Sequence, residues 1–180
     1  DRVAAASKSE LTSLEGRVIA IAGAAGNVGP TVVRRLAPEG AHLCLCGRER
    51  SKLEAVVADT GADADVDVVD LLDADATKSW AQELSSRHGG VDALVHLVGG
   101  WRGGTPIEEA PLEDWDELQD LLVRTLQHAT QAFAPHLLTS GRGRFLNVST
   151  GQAQAPTHPN AVYAAAKAAV QRLRTAGGTS

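Results

Sequence analysis

The sequence predicts an α/β fold: a doubly wound parallel sheet in the strand order 3-2-1-4-5, with helices on both faces. Two observations lead to this fold class. Five short, mainly apolar runs alternate along the 180-residue chain with stretches of helical periodicity, which is typical of βαβ units. The first run is followed at once by a glycine-rich loop and then by a helix.

The predicted strands are short runs between turn residues. Residues 17–22 (RVIAIA) form an unbroken apolar run between glycines, which suits a strand buried on both faces. Residues 65–70 lie in a stretch rich in Asp, whose charges are expected to form a solvated rim. The predicted strands, in chain order, are 17–22, 41–46, 65–70, 91–98 and 144–149.

The predicted helices show apolar residues three and four apart. Pro30 suits a first helical turn, and Trp80 and Leu84 share one face of the third helix. The longest helix carries a single apolar stripe from Trp115 to Phe133, and Pro135 is expected to kink or end it. The predicted helices, in chain order, are 30–38, 51–58, 73–88, 112–138 and 161–174.

Length and composition predict a single-domain protein and argue against nucleic-acid-binding, membrane-spanning and secreted classes. We expect one domain over residues 17–180, preceded by an N-terminal extension over residues 1–16. The net charge of −5 argues against a nucleic-acid partner, and no apolar run approaches the ~20 residues of a membrane span. Residues 1–10 contain no apolar segment typical of a secretory signal, so the expected location is the cytoplasm.

The cysteines and histidines predict no metal site. Cys44 and Cys46 lie two apart on a predicted strand and are expected to be small buried hydrophobes. The six histidines are scattered without the spacing of metal ligands, so ordinary structural roles are expected for them.

The glycine loop predicts a site for a dinucleotide. It joins the first strand to the first helix and contains Gly23, Gly26, Asn27, Val28 and Gly29. Glycines let the backbone approach a pyrophosphate, and the helix N-terminus supplies N–H donors and partial positive charge. A tight turn without a ligand is the alternative interpretation.

The residues after the second strand indicate which cofactor is preferred. An acidic residue there would bind a ribose 2′-hydroxyl, whereas an arginine would bind a 2′-phosphate. Gly47 stands where the acid would be, and Arg48 follows it. This pattern favours NADP(H) over NAD(H), with a plain surface cation as the alternative for Arg48.

Tyr163 and Lys167 form the candidate catalytic pair. Their spacing of four places both side chains on one helical face. Bringing a tyrosine pKa from about 10 to neutrality requires about 4 kcal/mol. A lysine charge ~5 Å away would contribute about 3.3 kcal/mol at an effective dielectric near 20. A helix-start aromatic beside a surface lysine is the alternative.

Together these motifs resemble the short-chain dehydrogenase/reductase family, whose fold is a Rossmann-type α/β domain that binds NAD(P). By that resemblance Asp70 and Leu71 would meet the adenine, and Gly99 is the residue that remains of the family's Asn-Asn-Ala-Gly motif. Lys167 would also hold the nicotinamide ribose.

The same resemblance places a catalytic hydroxyl thirteen residues before Tyr163, at Thr150, with Ser149 expected to point to the opposite face. The family's fourth catalytic residue, an asparagine, aligns with Leu122, which cannot relay a proton. The chain is expected to lack the family's last strands, as though truncated after the Tyr-x-x-x-Lys helix.

The function that this resemblance implies is an NADP(H)-dependent carbonyl reductase or alcohol dehydrogenase acting on a small molecule. A homo-oligomer, dimer or tetramer, is expected through the long helix. Two alternatives remain open: a non-catalytic NAD(P)-binding module or inactive fragment, suggested by Leu122, and an NAD-dependent epimerase-like enzyme, suggested by the Gly-x-x-Gly-x-x-Gly spacing.

Overall fold

A computed structural model describes residues 13–176, which contain one five-stranded sheet. All of its strand pairs are parallel, and the order β3-β2-β1-β4-β5 confirms the predicted topology. The strands are β1 (Val18–Ala22), β2 (His42–Gly47), β3 (Ala64–Val68), β4 (Ala93–His96) and β5 (Arg144–Asn147). Each predicted strand exists, and the fourth is four residues long where eight were predicted.

The helices alternate with the strands as the periodicity predicts. They are α1 (Gly29–Leu36), α2 (Arg50–Thr60), α3 (Ala74–His88), α4 (Leu112–Leu118), α5 (Thr125–Thr139) and α6 (Ala161–Ala176). Short 3₁₀ turns occupy Ala37–Glu39, Gly151–Ala153 and His158–Asn160. No helix in the described part of the chain is long and apolar enough to cross a membrane.

The core lies on both faces of β1 and β2, whose central residues are completely buried. On one face Ile19 and Ile21 of β1 pack against α1 and α2. On the other face Ala20 and Ala22 pack against α3 and α5, where the rings of Trp80 and Phe133 meet edge to face. Such double coverage explains why these strands consist of apolar residues without alternation.

The long helical region differs from the single helix predicted for residues 112–138. A π-helical turn over Gln119–Arg124 separates α4 from α5, and the Thr125 hydroxyl donates to the Leu121 carbonyl at 2.7 Å. The apolar stripe therefore packs against two different parts of the fold. Its first half packs against α6, and its second half packs against α3 and the sheet.

Pro135 does not end α5, which continues to Thr139, so this part of the expectation is wrong. A proline lacks the N–H that would bond the carbonyl four residues earlier, here that of Gln131. Gln131 lies on the exposed side of α5, where water can solvate its carbonyl.

Candidate active site

The carboxyl ends of the strands meet at one edge of the sheet, where open α/β sheets bind their ligands. We call it the carboxyl edge. The glycine loop follows β1 there, Arg48 follows β2, and Thr150 follows β5. Helix α6 adds Tyr163 and Lys167, because the Lys167 ammonium reaches the backbone just beyond β5.

The glycine loop is shaped by close contacts that exclude side chains. Gly23 has φ +78°, and a Cβ there would lie 2.9 Å from the backbone nitrogen of Val98. A Cβ on Gly29 would lie 1.8 Å from the carbonyl oxygen of Ala24, so only glycine lets α1 pack so closely. The first and last glycines of the motif are therefore explained by packing.

The exposed centre of the loop leaves backbone donors available. Gly26, Asn27 and Val28 are exposed, and Val28 caps α1 without a side-chain hydrogen bond. Among the described residues, the N–H groups of Asn27 and Val28 donate to no backbone acceptor, whereas Gly26 and Gly29 bond within the loop. Unpaired amides at a helix N-terminus fit an anionic pyrophosphate.

The other predicted cofactor residues flank this loop. Arg48 is exposed, and within residues 13–176 its guanidinium makes no ion pair. Asp70 is exposed, with Oδ1 accepting from the Leu72 N–H at 3.0 Å. Leu71 instead buries its side chain in the core, so only its backbone is left for a ligand. Gly99 is exposed beyond β4.

Tyr163 and Lys167 lie on one face of α6, as their spacing predicts. The Lys167 side chain is 6% exposed, and its ammonium donates to the Val148 carbonyl oxygen at 3.0 Å. The same Nζ atom lies 6.0 Å from the centroid of the Tyr163 ring. Lysine therefore fixes the backbone after β5 while remaining near the tyrosine.

The expected lowering of the tyrosine pKa by lysine alone is not met. Partial burial raises the pKa of Tyr163 above its ordinary value, and burial lowers the pKa of Lys167. Burial disfavours the charged form of each group, and the 6.0 Å separation limits the compensation. Lowering the pKa of Tyr163 to neutrality thus requires further positive charge beside the ring.

The two hydroxyls after β5 have different partners. The Thr150 side chain accepts from the N–H of Gln152 at 3.4 Å and so caps the following 3₁₀ turn, which packs against α6. The Ser149 hydroxyl accepts from Nε2 of Gln171 at 2.7 Å. Gln171 lies four residues beyond Lys167, and sequence reasoning missed this contact because neither residue stands out by type.

Two further residues near the candidate site, Leu122 and His96, are buried. Leu122 is 2% exposed and belongs to the core between the π turn and α6, as its place on the apolar stripe indicates. His96, at the end of β4, is 1% exposed, and within residues 13–176 neither ring nitrogen has a hydrogen-bond partner. Burial, followed by the Lys167 charge, lowers the pKa of His96 to about 4.

Comparison with known proteins settles the family. Residues 17–178 match the sequence pattern described as short chain dehydrogenase. The chain belongs to that family. The sequence of this short-chain dehydrogenase predicted its strand order, and it carries the glycine loop and the Tyr-x-x-x-Lys pair on which the resemblance was based.

Two gluconate 5-dehydrogenases are among its similar proteins. That of Gluconobacter oxydans (strain 621H) is 31% identical over 170 residues, covering 93% of this chain and 66% of that protein. The structure from Burkholderia cenocepacia J2315, in complex with NADP and tartrate, has a TM-score of 0.83 and 28% identity, covering 92% of this chain and 66% of that chain.

A metagenomic short-chain oxidoreductase solved in complex with NADP has a TM-score of 0.78 and 29% identity, over 91% of this chain and 75% of that one. An uncharacterized oxidoreductase of Staphylococcus epidermidis is 25% identical over 163 residues, 91% of this chain and 70% of that protein. The chain thus spans about two thirds of the length of the curated relatives it matches, 66% of the Gluconobacter protein and 70% of the Staphylococcus protein.

Proposed function

We propose that this short-chain dehydrogenase is an NADP(H)-dependent oxidoreductase that interconverts a carbonyl and an alcohol group of a small molecule. One observation carries the proposal. A buried lysine and a half-buried tyrosine share a face of α6, at the same edge of the sheet as a glycine loop with two backbone amides that bond no described backbone acceptor. The interconversion of a carbonyl and an alcohol requires a group that transfers a proton and a site that binds the dinucleotide.

Tyr163 is the residue that moves a proton. Its phenol donates to the substrate oxygen during reduction, and its phenolate accepts a proton from the alcohol during oxidation. The Lys167 ammonium favours the phenolate by its charge and holds the segment after β5 through Val148. The Thr150 hydroxyl would donate to the carbonyl oxygen, and its backbone is held by the 3₁₀ turn that it caps.

The loop and its neighbours provide the groups that would hold the cofactor. The amides of Asn27 and Val28 suit the pyrophosphate, Arg48 a 2′-phosphate, and Asp70 the adenine. When bound, NADP(H) would supply the hydride-transfer chemistry. An oxidised nicotinamide is also positively charged, which is the further charge that a raised Tyr163 pKa calls for.

Replacing the proton donor tests the activity. The Tyr163→Phe variant is expected to reduce turnover by about 10²- to 10⁴-fold, because the ring remains and only the acid–base group is lost. The affinity for NADPH, measured by calorimetric titration, is expected to stay nearly unchanged. Turnover is measured with a panel of small alcohols and carbonyl compounds. Two relatives are gluconate 5-dehydrogenases, so gluconate with NADP⁺ is the first pair to test. Undiminished turnover in the variant would refute the role of Tyr163.

Replacing Arg48 tests the cofactor preference. An exposed guanidinium without an ion pair among the described residues is free to bind a phosphate. Arg48→Ala is expected to weaken NADPH binding by about tenfold or more, the value of a charge-assisted hydrogen bond, and to spare NADH. The control is Arg50→Ala, whose guanidinium already lies 3.9 Å from Glu54. Equal losses for both cofactors would contradict the 2′-phosphate role.

A second candidate function is a cofactor-binding module without catalysis. It is favoured by Leu122, which fills the position of the family's relay asparagine with a completely apolar, buried side chain. Such a protein would bind NADPH and oxidise it with no member of the substrate panel. Turnover that depends on Tyr163 would exclude it.

Assembly and location complete the proposal. The helices α4 and α5 expose large apolar side chains, among them Leu112 and Leu138, which supports a homo-oligomer through this region. Light scattering that detects only monomer would contradict it. The two cysteines are free and buried, which supports a cytoplasmic location.

A further inference from the structure

A second group of reactive side chains lies at the amino ends of β2 and β3, the edge of the sheet opposite the candidate active site. We call it the amino-edge cluster and define it as His42, Cys44, Asp65 and His88. His42 begins β2, and Cys44 follows two residues later on the same face. The strand register places Asp65 directly opposite Cys44, and the end of α3 brings His88 over both strands.

The ligand atoms of these four residues converge. Nε2 of His88 lies 2.9 Å from Oδ2 of Asp65, and Nε2 of His42 lies 3.5 Å from the same oxygen. The two imidazole rings lie with their centroids 4.2 Å apart. Together with the Cys44 sulfur, all four ligand atoms lie within 4.8 Å of one another.

Within residues 13–176, the hydrogen bonds of the cluster leave one of its ring nitrogens without a partner. Nε2 of His42 is buried and has no hydrogen-bond partner among the described residues, although it faces the carboxylate. Cys44 is a free thiol and is completely buried. The negative charges of Asp65 and Asp67 lie close enough to act on its sulfur. A buried polar nitrogen without a partner costs free energy unless something else binds it.

The donor set selects the class of ion. Two imidazole nitrogens, one sulfur and one carboxylate oxygen are the ligands of tetrahedral Zn²⁺, whereas Ca²⁺ and Mg²⁺ require mostly oxygen. Zinc–ligand distances of about 2.0 to 2.3 Å imply ligand–ligand separations of about 3.3 to 3.6 Å in a tetrahedron. The observed separations of 2.9 to 4.8 Å bracket that range, so closing the site takes a shift of about 1 Å.

We propose that His42, Cys44, Asp65 and His88 bind one Zn²⁺ ion, which joins β2, β3 and the end of α3. The four ligands would be two neutral imidazoles, one thiolate and one carboxylate, so the site carries no net charge once Cys44 has released its proton to solvent. The sequence predicted no metal site, because the ligands have no motif spacing and only the register and helix packing bring them together.

Two neighbours affect the strength of binding. Burial, together with the charges of Asp65 and Asp67, raises the pKa of the Cys44 thiol to about 12, so zinc must displace a tightly held proton. The Arg87 guanidinium also bonds Oδ2 of Asp65 at 3.0 Å and reaches Oδ1 of Asp67 at 3.4 Å. Zinc would therefore compete with Arg87 for Asp65, while Asp67 remains available to the arginine.

Cobalt and zinc titrations of the metal-free 180-residue protein test the proposal. Co²⁺ is expected to bind one ion per chain with the visible bands of tetrahedral coordination and a thiolate charge-transfer band. Zn²⁺ is expected to displace it stoichiometrically. Cys44→Ser is expected to abolish the thiolate band, whereas Cys46→Ser, two residues along the same strand face, keeps it. An octahedral spectrum without sulfur bands would overturn the assignment.

Zinc affinity, measured against a chelating dye, provides the second readout. His88→Ala is expected to weaken it by more than about 100-fold, since even outer-shell partners contribute roughly 10- to 100-fold. His158→Ala, at an exposed histidine outside the cluster, is the control and should not change it. Circular dichroism establishes that each variant is folded. Equal affinity in the His88 and His158 variants, or no zinc binding by the folded wild type, would overturn the proposal.

Discussion

The two edges of the same sheet carry polar side chains that are organised in different ways. At the carboxyl edge two compact segments carry the recognisable motifs, one glycine loop after β1 and one turn of α6 with Tyr163 and Lys167, while Arg48 and Thr150 follow other strands. At the amino edge the cluster draws His42 and Cys44 from β2, Asp65 from β3 and His88 from α3. Local spacing in the sequence therefore reveals the motifs of the carboxyl edge, whereas the amino-edge cluster becomes visible only through strand register and helix packing.

Lysine and histidine variants give the largest expected contrast between the edges. Lys167→Met is expected to lower turnover by about 10²- to 10⁴-fold, because the charge that favours the Tyr163 phenolate is lost. His88→Ala at the other edge should change turnover by less than about twofold, a size expected away from the reacting groups. Steady-state kinetics measures both, with Lys78→Met as an exposed lysine control. A comparable loss in His88→Ala would show that the two edges are coupled.

Acid titration should distinguish the edges by the pH at which stability is lost. The pKa of His96 is about 4 in the fold and 6.5 as its ordinary value, so the unfolded chain binds more protons between these values. Stability is therefore expected to fall by about 3 kcal/mol as the pH drops from 6.5 to 4. Urea unfolding across that range measures the loss.

A histidine variant and the Asp65 carboxylate show whether the loss belongs to His96. The His96→Leu variant should lack this loss between pH 6.5 and 4, since it removes the buried imidazole whose pKa is lowered by folding. At the amino edge burial opposes ionisation of Asp65, but hydrogen bonds from Arg87 and His88, together with the nearby His42 imidazole, lower its pKa below 3.8. The stability that Asp65 contributes is present above that value and is lost only as the pH falls below it. An unchanged pH profile in His96→Leu would contradict the assignment.

The smallest expected effect concerns the shape of the glycine loop. In Gly29→Ala the new methyl group would lie 1.8 Å from the Ala24 carbonyl oxygen, so α1 must shift. We expect a loss of about 1 to 3 kcal/mol in the free energy of unfolding, together with weaker NADPH binding. Gly151→Ala is the control, because no atom of the described part of the chain lies within 4 Å of its Cβ position. Equal midpoints of urea unfolding would show that the loop tolerates a side chain.

The sequence predicted the strand order and all five strands, because short apolar runs and an α/β alternation leave few topologies. Element ends were less well predicted. β4 ends at His96, although the apolar run continues through Leu97 and Val98, because pairing with β1 and β5 stops there. Apolar character shows where a segment is buried, but it does not show where its hydrogen-bonded partner strand ends.

The candidate site was predicted where a residue type is itself informative. Glycines, the tyrosine and the lysine have restricted chemical uses, so their spacing pointed to the carboxyl edge. Two features were not predicted: the ring nitrogens of His96, which have no partner among the described residues, and the Ser149–Gln171 hydrogen bond. They depend on the packing of β4, β5 and α6, which carries no signature in any short stretch of sequence.

The π-helical turn at Gln119–Arg124 has a consequence for tolerated changes in chain length. Such a turn absorbs one extra residue within an otherwise regular helix. Deleting a residue inside it would convert the turn to regular helix and leave Leu118 and Leu126 in the same core. A deletion within α5 would instead rotate every residue on one side by about 100° and turn Phe133 away from Trp80. This short segment is therefore where the long helical region best tolerates a deletion.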